Sequence, residues 1–434
     1  MSKNVWEGLS EKEKQEVEKF VSDYRGFIDR CKTERLVAKE AEELARKWDI
    51  PYILFRKKTI AMFKPYGNPV KDGINIIVAH SDAPRIDLKP RPVTEENEFA
   101  LFKTRYYGGI KKYQWLSLPL SLYGFVYKDG NEIYVKEDDI TFVIPDLEPH
   151  LSRKYDDKKI NEYIEAEKLM PIVGSIPSKA KEERLKKGVL EYLKKKYGIE
   201  EDDLVSSEFE LVPAINSMEI GVDKGLIGAY GQDDRVCCYT GLRALLGMGS
   251  QKRTSLLILY DKEEIGSVGN TGAQSKIVED AVIDILDKLG IETSYKNIRK
   301  TLSNSRCLSA DVNAGLNPLF PETLDHKNAA RLGYGAVITK YTGHYGKGGT
   351  NDANPEFISE VVKTFNENNV HWQTGELGKA DEGGGGTVAR FLAYFGIETV
   401  DCGVPLLSMH SPFEISSKVD IYEAYKGYRA FFES

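Results

Sequence analysis

The sequence has no long apolar run. No stretch of its 434 residues approaches the roughly 18–20 apolar residues that a membrane-spanning helix needs. It also has no basic excess, because 60 Lys and Arg stand against 67 Asp and Glu and give a formal net charge of −7. The first residues, MSKNVWEGLSEKEKQ, are polar and acidic, unlike a secretory signal peptide. We therefore expect neither a membrane nor a nucleic acid as the partner of this protein.

Cysteine is scarce as well. The five cysteines, Cys31, Cys237, Cys238, Cys307 and Cys402, show no CxxC spacing and cannot form an even set of disulfides. This pattern excludes a disulfide-stapled scaffold and indicates reduced, mostly buried thiols in a cytoplasmic protein. The apolar fraction of 41% is sufficient for a full globular core and excludes a disordered chain.

The chain is too long for one ordinary core, so we expect two domains or one large domain with an insertion. Helix and strand patterns occupy the chain up to Pro90 and alternate again from about residue 225, whereas residues 91–150 contain short β-branched and aromatic runs. We predict an α/β fold in which a mixed sheet carries helices on both faces. This α/β domain, residues 1–90 and 223–434, is split by an inserted β-rich domain, residues 91–222.

Individual elements follow from the spacing of apolar residues. The pattern predicts helices at 11–48 (as two helices), 179–197, 273–290 and 355–368, and a further helix that begins near Asp233. It predicts strands at 74–80, 123–128, 131–136, 139–145, 209–214, 254–261, 306–312, 335–341 and 399–410. The GGGG segment at 383–386 indicates a tight loop where the backbone approaches another group closely.

Polar side chains end several of these apolar runs. They are His80 and Asp82 after one strand, Asp261 to Glu264 after a second, Asp311 and His410 after two more, and Asp233 with Asp234 where a helix starts. Because ligands of an open α/β sheet bind at the carboxyl ends of its strands, we expect these side chains at one edge. Singly, each has an ordinary explanation as a structural histidine, an N-cap acid or a surface turn. Together, so many carboxylates in a dry cleft would repel without cations, and the set suits a pair of divalent metals, with zinc favoured by imidazole.

Two spacings within this set have a chemical meaning. Alternate residues of an extended segment face the same way, so Asp82 can accept from the ring N–H of His80 and fix the tautomer that binds a metal. The adjacent Glu263 and Glu264 point to different places, so one can bind a metal while the other acts as a base. A metallohydrolase needs this division, since a carboxylate must deprotonate the water that the metal holds.

Five segments are similar, in order, to the motifs of one enzyme family: HSDAPRIDLKP (80–90), DDR (233–235), DKEEIGS (261–267), SADV (309–312) and PLLSMHSPFE (405–414). They resemble the aspartyl aminopeptidase (M18) family of metallo-aminopeptidases, and the resemblance covers most of the chain from residue 74. The family belongs to a wider group of two-zinc exopeptidases. The resemblance implies an enzyme that removes N-terminal residues, Asp or Glu foremost, from peptide substrates.

The resemblance also implies roles for the polar residues. It implies two divalent ions per subunit, zinc first, with cobalt or manganese as alternatives. His80, Glu264, Asp311 and His410 would each bind one of the metals, and Asp233 would bridge them and precede a cis peptide bond to Asp234. Asp82 would orient His80, and Glu263 would be the general base.

Further expectations concern the insert and the substrate. By resemblance, the insert drives dimers that assemble into a homo-dodecamer, and IPDLEPHLSR (144–153) supplies His150, which would stabilise the oxyanion in a neighbouring subunit. The alternatives for His150 are a third histidine ligand and an ordinary surface histidine. Lys340, with Lys347 as a fallback, would meet an acidic substrate side chain, and His326 would lie near the substrate or bond locally. The segment YTGHYGKGGTNDA departs from the family pattern in the region expected to provide that lysine.

Three functions follow from these observations. The leading hypothesis is a two-zinc aminopeptidase with acidic preference. The second is an aminopeptidase of the glutamyl/leucyl tetrahedral type with broad or aliphatic specificity, which GQDDR also resembles. The third is a catalytically silent, metal-binding assembly protein. The third conflicts with the sequence, because the base position and all five ligand positions hold competent residues.

Overall fold

The computed structural model describes residues 3–434, and the chain divides into two compact units. The first unit contains the chain up to Asp82, Ser217–Met409 and Phe413–Ser434, and the second contains Ala83–Asn216 and His410–Pro412. The sequence analysis placed the boundaries at 90 and 223. The structure places them earlier, because strands begin at Arg85 and Met218, inside the segments expected to belong to the neighbouring domain.

The helices are α1 Glu11–Arg30, α2 Glu34–Lys47, α3 Pro69–Asp72, α4 Arg184–Tyr197, α5 Gln232–Gly247, α6 Ile277–Lys288, α7 Tyr295–Ser303, α8 Pro355–Glu367, α9 Ala389–Ala393 and α10 Lys418–Glu433. The strands are β1 Tyr52–Phe55, β2 Thr59–Lys64, β3 Ile74–His80, β4 Arg85–Glu96, β5 Phe99–Tyr107, β6 Leu120–Lys128, β7 Asn131–Phe142, β8 Ile172–Gly174, β9 Ser207–Pro213, β10 Met218–Ile220, β11 Leu226–Ala229, β12 Thr254–Tyr260, β13 Arg306–Ser309, β14 Asn313–Ala314, β15 Ala336–Thr339, β16 Trp372–Thr374, β17 Glu398–Gly403, β18 Pro405–Leu407 and β19 Glu414–Ser417. Over residues 3–434, no helix combines the length and the apolar content that crossing a membrane requires.

The main sheet of the first unit has eight strands in the order β1-β2-β12-β3-β13-β17-β15-β16. The central strands β12, β3, β13 and β17 run parallel to one another. β2 and β15 are antiparallel to their inner neighbours, so the sheet is mixed. The parallel centre explains why INIIVAH and TSLLILY are apolar at almost every position, since all residues of both strands are buried.

Two hydrophobic cores lie on opposite faces of this sheet. Ile77 and Leu257 belong to the core that includes α1, α2, α5, α8 and α10. Their chain neighbours Ile76 and Leu256 belong to the core that includes α6. Helices therefore cover both faces, and the predicted α/β class is confirmed. Each buried aliphatic side chain contributes about 1.5–3 kcal/mol to folding.

The N-terminal segment forms two amphipathic helices, as its spacing predicts. Ser10 caps α1 by accepting the Glu13 N–H, and the Glu13 carboxylate accepts the Ser10 N–H, which completes a capping box. Thr33 caps α2 in the same way by accepting the Leu36 N–H. The buried face of α1, with steps of three and four from Val17 to Phe27, packs into the first core.

A smaller sheet in the first unit has the order β10-β11-β19-β18-β14. Here the prediction of one strand at 399–410 is wrong. Residues up to Gly403 form β17 in the main sheet, and after Val404 the chain enters the smaller sheet as β18. β18 runs parallel to β14, with Pro405 opposite Asn313, so the segment before His410 lies beside the segment after Asp311.

The second unit is a six-stranded antiparallel sheet in the order β7-β6-β9-β4-β5-β8, with the lysine-rich helix α4. The sequence analysis predicted separate strands at 131–136 and 139–145, whereas one strand, β7, runs from Asn131 to Phe142 and shifts its register against β6 between Glu137 and Phe142. The reason is that Glu137 is only 2% exposed and its carboxylate accepts from Tyr192, Lys196 and Tyr197. The acid is paired inside the unit and does not mark a turn.

Candidate metal centre

The register of the main sheet brings the ends of three parallel strands to one edge. His80 pairs with Tyr260, and Val78 pairs with Ser309. Ala310 N–H then bonds Val78 O at 2.7 Å, which holds Asp311 just beyond the end of β13. His80, Asp311 and the turn after Tyr260 therefore share the carboxyl edge, as predicted from the strand ends.

The His80 ring is buried and has acceptors on both sides. Its Nδ1 lies 3.1 Å from Asp82 O and 3.4 Å from Asp82 Oδ1. Its Nε2 lies 3.1 Å from Asp233 Oδ1 and 3.8 Å from Asp311 Oδ1. In the tautomer with the hydrogen on Nδ1, that N–H donates to Asp82 and the Nε2 lone pair faces the carboxylates of Asp233 and Asp311, as binding of a metal requires.

The side chain of Asp82 also holds the turn that follows β12. Its Oδ1 accepts the Glu263 N–H at 3.1 Å, and its Oδ2 accepts the Glu264 N–H at 3.1 Å. This turn is a short 3-10 helix, Glu263–Ile265, flanked by the left-handed residues Lys262 and Gly266. One buried carboxylate thus sets the backbone positions of both adjacent glutamates and also faces the His80 ring.

Asp233 and Asp234 come from the first turn of α5, and the bond between them is a cis peptide. Gly231 precedes this turn with φ +69°, and a Cβ there would lie 2.5 Å from the Arg235 guanidinium, so the position favours glycine. Arg235 in turn donates to Ser81 O at 3.3 Å. Asp234 Oδ2 accepts the His80 N–H at 3.2 Å. The α5 turn and the end of β3 are therefore tied together through both backbone and side chain.

Buried acids dominate the electrostatics of this cluster. Burial raises the pKa of Asp234 well above its usual 3.8, and the charge of Asp233 adds to the rise. Burial likewise raises the pKa of Asp311 well above 3.8; the charges of Asp234, Asp233 and Glu263 add to the rise, and His80 opposes it. For His80, burial would lower the pKa, but the carboxylates of Asp233 and Asp82 outweigh it and raise that pKa well above 6.5. These acids are costly as bare anions in a buried site.

The donor set fits a divalent metal. In the described part of the chain, one ligand atom each from His80, Glu263 and Glu264 lie within 4.8 Å of one another, as do those from His80, Asp234 and Asp311. Asp234 Oδ1 is buried and accepts no hydrogen bond from any residue that the structure describes. One imidazole nitrogen with several carboxylate oxygens is a ligand chemistry that zinc accepts.

The remaining predicted histidines are His410, His150 and His326. His410 falls in the short segment that belongs to the second unit, with Nδ1 3.1 Å from Gly109 O. His150 is exposed in the loop between β7 and β8. His326 is exposed, and its Nε2 lies 3.0 Å from Pro321 O, which matches the local-bond alternative.

The two lysines expected to meet an acidic substrate are already paired. Lys340 Nζ donates to Asp352 Oδ1 at 2.7 Å, and Lys347 Nζ donates to Asp352 Oδ2 at 2.8 Å. Lys340 also follows Thr339, which pairs with Asp401 in antiparallel register, so β15 carries the chain away from the edge that holds Asp311. Asp352 is a neutralising residue that the sequence analysis did not identify.

Comparison with known proteins agrees with this geometry. Residues 19–432 match the family model described as aminopeptidase I zinc metalloprotease (M18). The chain belongs to the M18 family. It is 46% identical over 451 residues to the probable M18 family aminopeptidase 1 of Thermotoga maritima, covering 99% of this chain and 98% of the relative. The corresponding protein of Borreliella afzelii is 46% identical over 454 residues, with 99% of both chains covered. This chain is therefore a metallo-aminopeptidase, and the family resemblance found in the motifs is confirmed.

Solved M18 structures share the fold along the whole chain. The crystal structure of the M18 aminopeptidase from T. maritima has a TM-score of 0.96 and 44% identity, covering 100% of this chain and 99% of its own. Aminopeptidase I from Clostridium acetobutylicum has a TM-score of 0.91 and 41% identity, with 100% and 99% covered. The S. cerevisiae mApe1 dodecamer, at 21% identity, has a TM-score of 0.77 over 96% of both chains and shares the fold.

Two M18 side chains in this site were missed by the sequence analysis. Asp234 lies in the DDR motif but received no role, although its Oδ2 holds the His80 N–H. Glu414, at the end of the last motif, accepts the Asp233 N–H with its carboxylate at 3.0 Å. A signal existed for both, since each acid lies within a motif that the family resemblance had already singled out.

Proposed function

We propose that this M18 enzyme removes N-terminal residues from peptides with two divalent ions, zinc first and cobalt or manganese as alternatives. The residues proposed to hold them are His80, Asp311, Glu264 and His410, with Asp233 between the two ions. The observation that carries this proposal is the contact of His80 Nε2 with Asp233 at 3.1 Å and Asp311 at 3.8 Å in a buried site. His410 is included because of the family resemblance of its motif, and it stands three residues beyond the end of β18 in the sequence.

When bound, the metals supply Lewis acidity that makes a water more acidic and polarises the scissile carbonyl. The chain supplies the base. The Glu263 carboxylate takes a proton as the water oxygen attacks the carbonyl carbon, and it returns that proton to the nitrogen as the C–N bond breaks. The products are a free amino acid and a peptide shorter by one residue.

Support for Glu263 as the base comes from how its turn is held. Both N–H groups of the glutamate pair bond the Asp82 carboxylate, so one anchored turn holds both glutamates, and one carboxylate oxygen of each lies within 4.8 Å of a His80 ring nitrogen. Glu264 can then bind a metal while Glu263 stays available for the proton. Asp82 supports both proposed roles, because its carboxylate holds the turn that contains the two glutamates and also lies beside His80 Nδ1.

Glu263→Gln tests the base directly. The substitution keeps the volume and the backbone bond to Asp82 but removes the proton acceptor, so we expect kcat to fall about 10²–10⁴-fold with metal content unchanged. Metal content by plasma emission and release of an N-terminal residue are measured on one preparation. Near-normal turnover by the variant would refute the assignment. If zinc- or cobalt-loaded wild-type protein released no N-terminal residue, the silent assembly protein would be the better hypothesis.

The proposed assembly is a homo-oligomer in which His150 reaches a neighbouring subunit and stabilises the oxyanion. Within the second unit, the loop around His150 exposes Leu147 (41%), Leu151 (59%) and Ile160 (64%). Exposed apolar side chains clustered in one loop favour burial against another molecule. A monomeric mass in solution, together with full activity of His150→Ala, would contradict this part of the proposal.

A cytoplasmic location is proposed from the thiols. All five cysteines are buried and free of disulfides in the described chain. Reduced buried thiols suit a reducing compartment. Fractionation of cells that express the full chain tests this, and recovery outside the cytoplasm would contradict it.

The preference for the N-terminal residue has two candidates. Acidic preference depends on Lys340 or Lys347, and it stays a prediction. One observation favours the second candidate, broad or aliphatic specificity: Asp352 accepts from both ammonium groups at 2.7 and 2.8 Å, which leaves the pair of lysines partly neutralised. A panel of p-nitroanilides of Asp, Glu, Leu and Lys decides between them. Higher kcat/KM for Leu than for Asp supports the second candidate, and the reverse restores the first.

A further inference from the structure

Glu414 is a buried acid of the last motif whose role in the site is unassigned. It begins β19, where its backbone pairs with Ala229 of β11, and it is 1% exposed. Its Oε2 accepts the Asp233 N–H at 3.0 Å. Burial of a charged carboxylate is energetically costly unless strong hydrogen-bond or ionic partners compensate for it, so a buried acid at this position indicates a specific role.

The residue before Asp233 is tied to the same strand. Gln232 Nε2 donates to Glu414 O at 2.7 Å, and Gln232 Oε1 accepts from Ser416 Oγ at 2.5 Å and from Tyr24 Oη at 3.2 Å. The side chains of all these residues are buried. The Glu414 carbonyl therefore bonds Gln232 and the Glu414 carboxylate bonds Asp233. These two successive residues belong to the turn from which the Asp233 carboxylate faces His80.

We propose that Glu414 is a positioning residue for the metal-bridging carboxylate of Asp233, acting through the hydrogen bond from the Asp233 N–H. The inference rests on the proposed function, since it assumes that Asp233 bridges two metals. The bond fixes the peptide plane before Asp233, and that plane sets the direction in which its side chain leaves the backbone. A bridging ligand must satisfy two ions at once, so a small rotation there weakens the site more than the same rotation at a ligand that binds one ion.

Four variants separate the hydrogen bond from the charge and from packing. Glu414→Ala removes the acceptor and the charge, and Glu414→Asp keeps the charge but is one methylene too short to reach the N–H. Glu414→Gln keeps an acceptor oxygen in place and removes the charge. Ser416→Ala is the matched control, because it lies on the same strand and bonds Gln232 but not Asp233.

The readout is the affinity of the metal-stripped full chain for zinc, measured by competition with a chromophoric chelator, and the visible spectrum of the cobalt-loaded protein. We expect Glu414→Ala and Glu414→Asp to weaken zinc binding about 10–100-fold and to change the cobalt spectrum. We expect Glu414→Gln to stay within about threefold of wild type and Ser416→Ala within about twofold, since each keeps the bond to Asp233. Thermal unfolding of the metal-free forms checks folding, and Glu414→Asp gives the same test if the alanine variant fails to fold.

Each outcome decides between the possibilities. If Glu414→Asp binds zinc as wild type does, or if Glu414→Gln loses as much affinity as Glu414→Asp, the hydrogen bond is not what positions Asp233 and the inference is overturned. An equal loss in Ser416→Ala would also overturn it, because packing of the strand would then explain the effect. If wild-type protein binds no zinc at all, the proposed function fails first, and the inference falls with it.

Discussion

Replacing Asp82 with asparagine should damage the site in two separable ways. The carboxylate bonds the N–H groups of Glu263 and Glu264 at 3.1 Å each, and an asparagine side chain has only one acceptor oxygen for the two. One bond to a charged acceptor is lost, at a cost of about 1.5–3 kcal/mol, and the lower end applies because water can reach the partly exposed turn. The His80 ring also loses its anionic partner, which should weaken zinc binding about 10–100-fold.

The two effects respond differently to added metal. Saturating zinc can restore occupancy of the site but cannot restore the anchor of the turn, and a displacement of about 1 Å at Glu263 can lower the rate about 100-fold. We therefore expect Asp82→Asn to keep a kcat deficit of about 100-fold at saturating zinc. Chelator competition gives the affinity, and release of p-nitroaniline from an amino-acid p-nitroanilide gives kcat.

Ser81→Ala is the matched control. It removes a neighbouring buried hydroxyl that bonds Tyr260 O at 3.0 Å and contacts neither glutamate N–H. We expect its zinc affinity and kcat to stay near wild type. Full recovery of kcat in Asp82→Asn at saturating zinc would refute the idea that Asp82 holds the base, leaving only a role through His80. Unchanged zinc affinity would refute the role through His80.

Three other predictions concern charge. Asp311→Asn removes a carboxylate whose pKa burial raises well above 3.8. The metal-free variant should therefore have a higher Tm than metal-free wild type, and zinc should no longer raise its Tm. A lower Tm of the metal-free variant would contradict this. Lys340→Ala should change kcat/KM for Asp and Leu substrates by less than about twofold, because the Lys340 ammonium is already paired with Asp352. A selective loss of kcat/KM on Asp substrates would instead support the hypothesis of acidic preference. Burial raises the pKa of Asp401 from 3.8 to about 6, so the native state keeps a proton that the unfolded chain releases, and stability falls as the pH rises through that window. Asp401→Asn should remove that slope in urea unfolding and stabilise the protein at pH 7 by up to about 3 kcal/mol, an effect that should be absent at pH 3.

The sequence predicted those helices and strands whose apolar spacing is visible within the segment itself. The buried parallel strands β3 and β12, the paired helices α1 and α2 and the lysine-rich α4 all lie where apolar spacing indicates them. The prediction was wrong where the deciding contact is distant in sequence. Glu137 looked like a turn because its partners in α4 lie more than fifty residues away, and 399–410 looked like one strand because nothing in the sequence marks its passage between two sheets.

The helix α10, Lys418–Glu433, shows the same limit. Its buried face includes Val419, Tyr428 and Phe431, but charged and small residues are buried beside them. Lys418 is 1% exposed because Glu18 and Glu219 accept from its ammonium at 2.6 and 2.7 Å. Burial of a lysine depends on acids from distant segments, so hydrophobic periodicity alone does not indicate that this helix packs in the core.

The candidate site follows the same division between local and distant information. Strand ends pointed to His80, to the Glu263–Glu264 pair and to Asp311, because ligands of an open α/β sheet bind at its carboxyl edge. The choice of Glu264 as the metal ligand came from the family resemblance. What orients those ligands could not be predicted, because it consists of hydrogen bonds from buried carboxylates to backbone N–H groups. Every residue except proline has a backbone N–H, so the sequence does not indicate which acceptor a given N–H will bond. That acceptor can be identified only in the folded chain.

The same arrangement occurs three times around the centre, and this explains why the site contains more acids than the proposed metal ligands. Asp234 accepts the N–H of His80, Asp82 accepts the N–H of Glu264, and Glu414 accepts the N–H of Asp233, at 3.2, 3.1 and 3.0 Å. Each bond holds the backbone of a proposed ligand, but each also adds a buried negative charge. The bonds that hold the proposed ligands therefore carry an electrostatic cost that bound divalent ions would offset. On this reasoning zinc contributes to folding as well as to chemistry: at a free concentration of 100 times its Kd, one ion adds about 2.7 kcal/mol to the stability of the native state. A protein of this size gains roughly 1–2 °C in Tm for each kcal/mol, so removal of two ions should lower Tm by several degrees, and an unchanged Tm would argue against buried charge as the source of the need for metal.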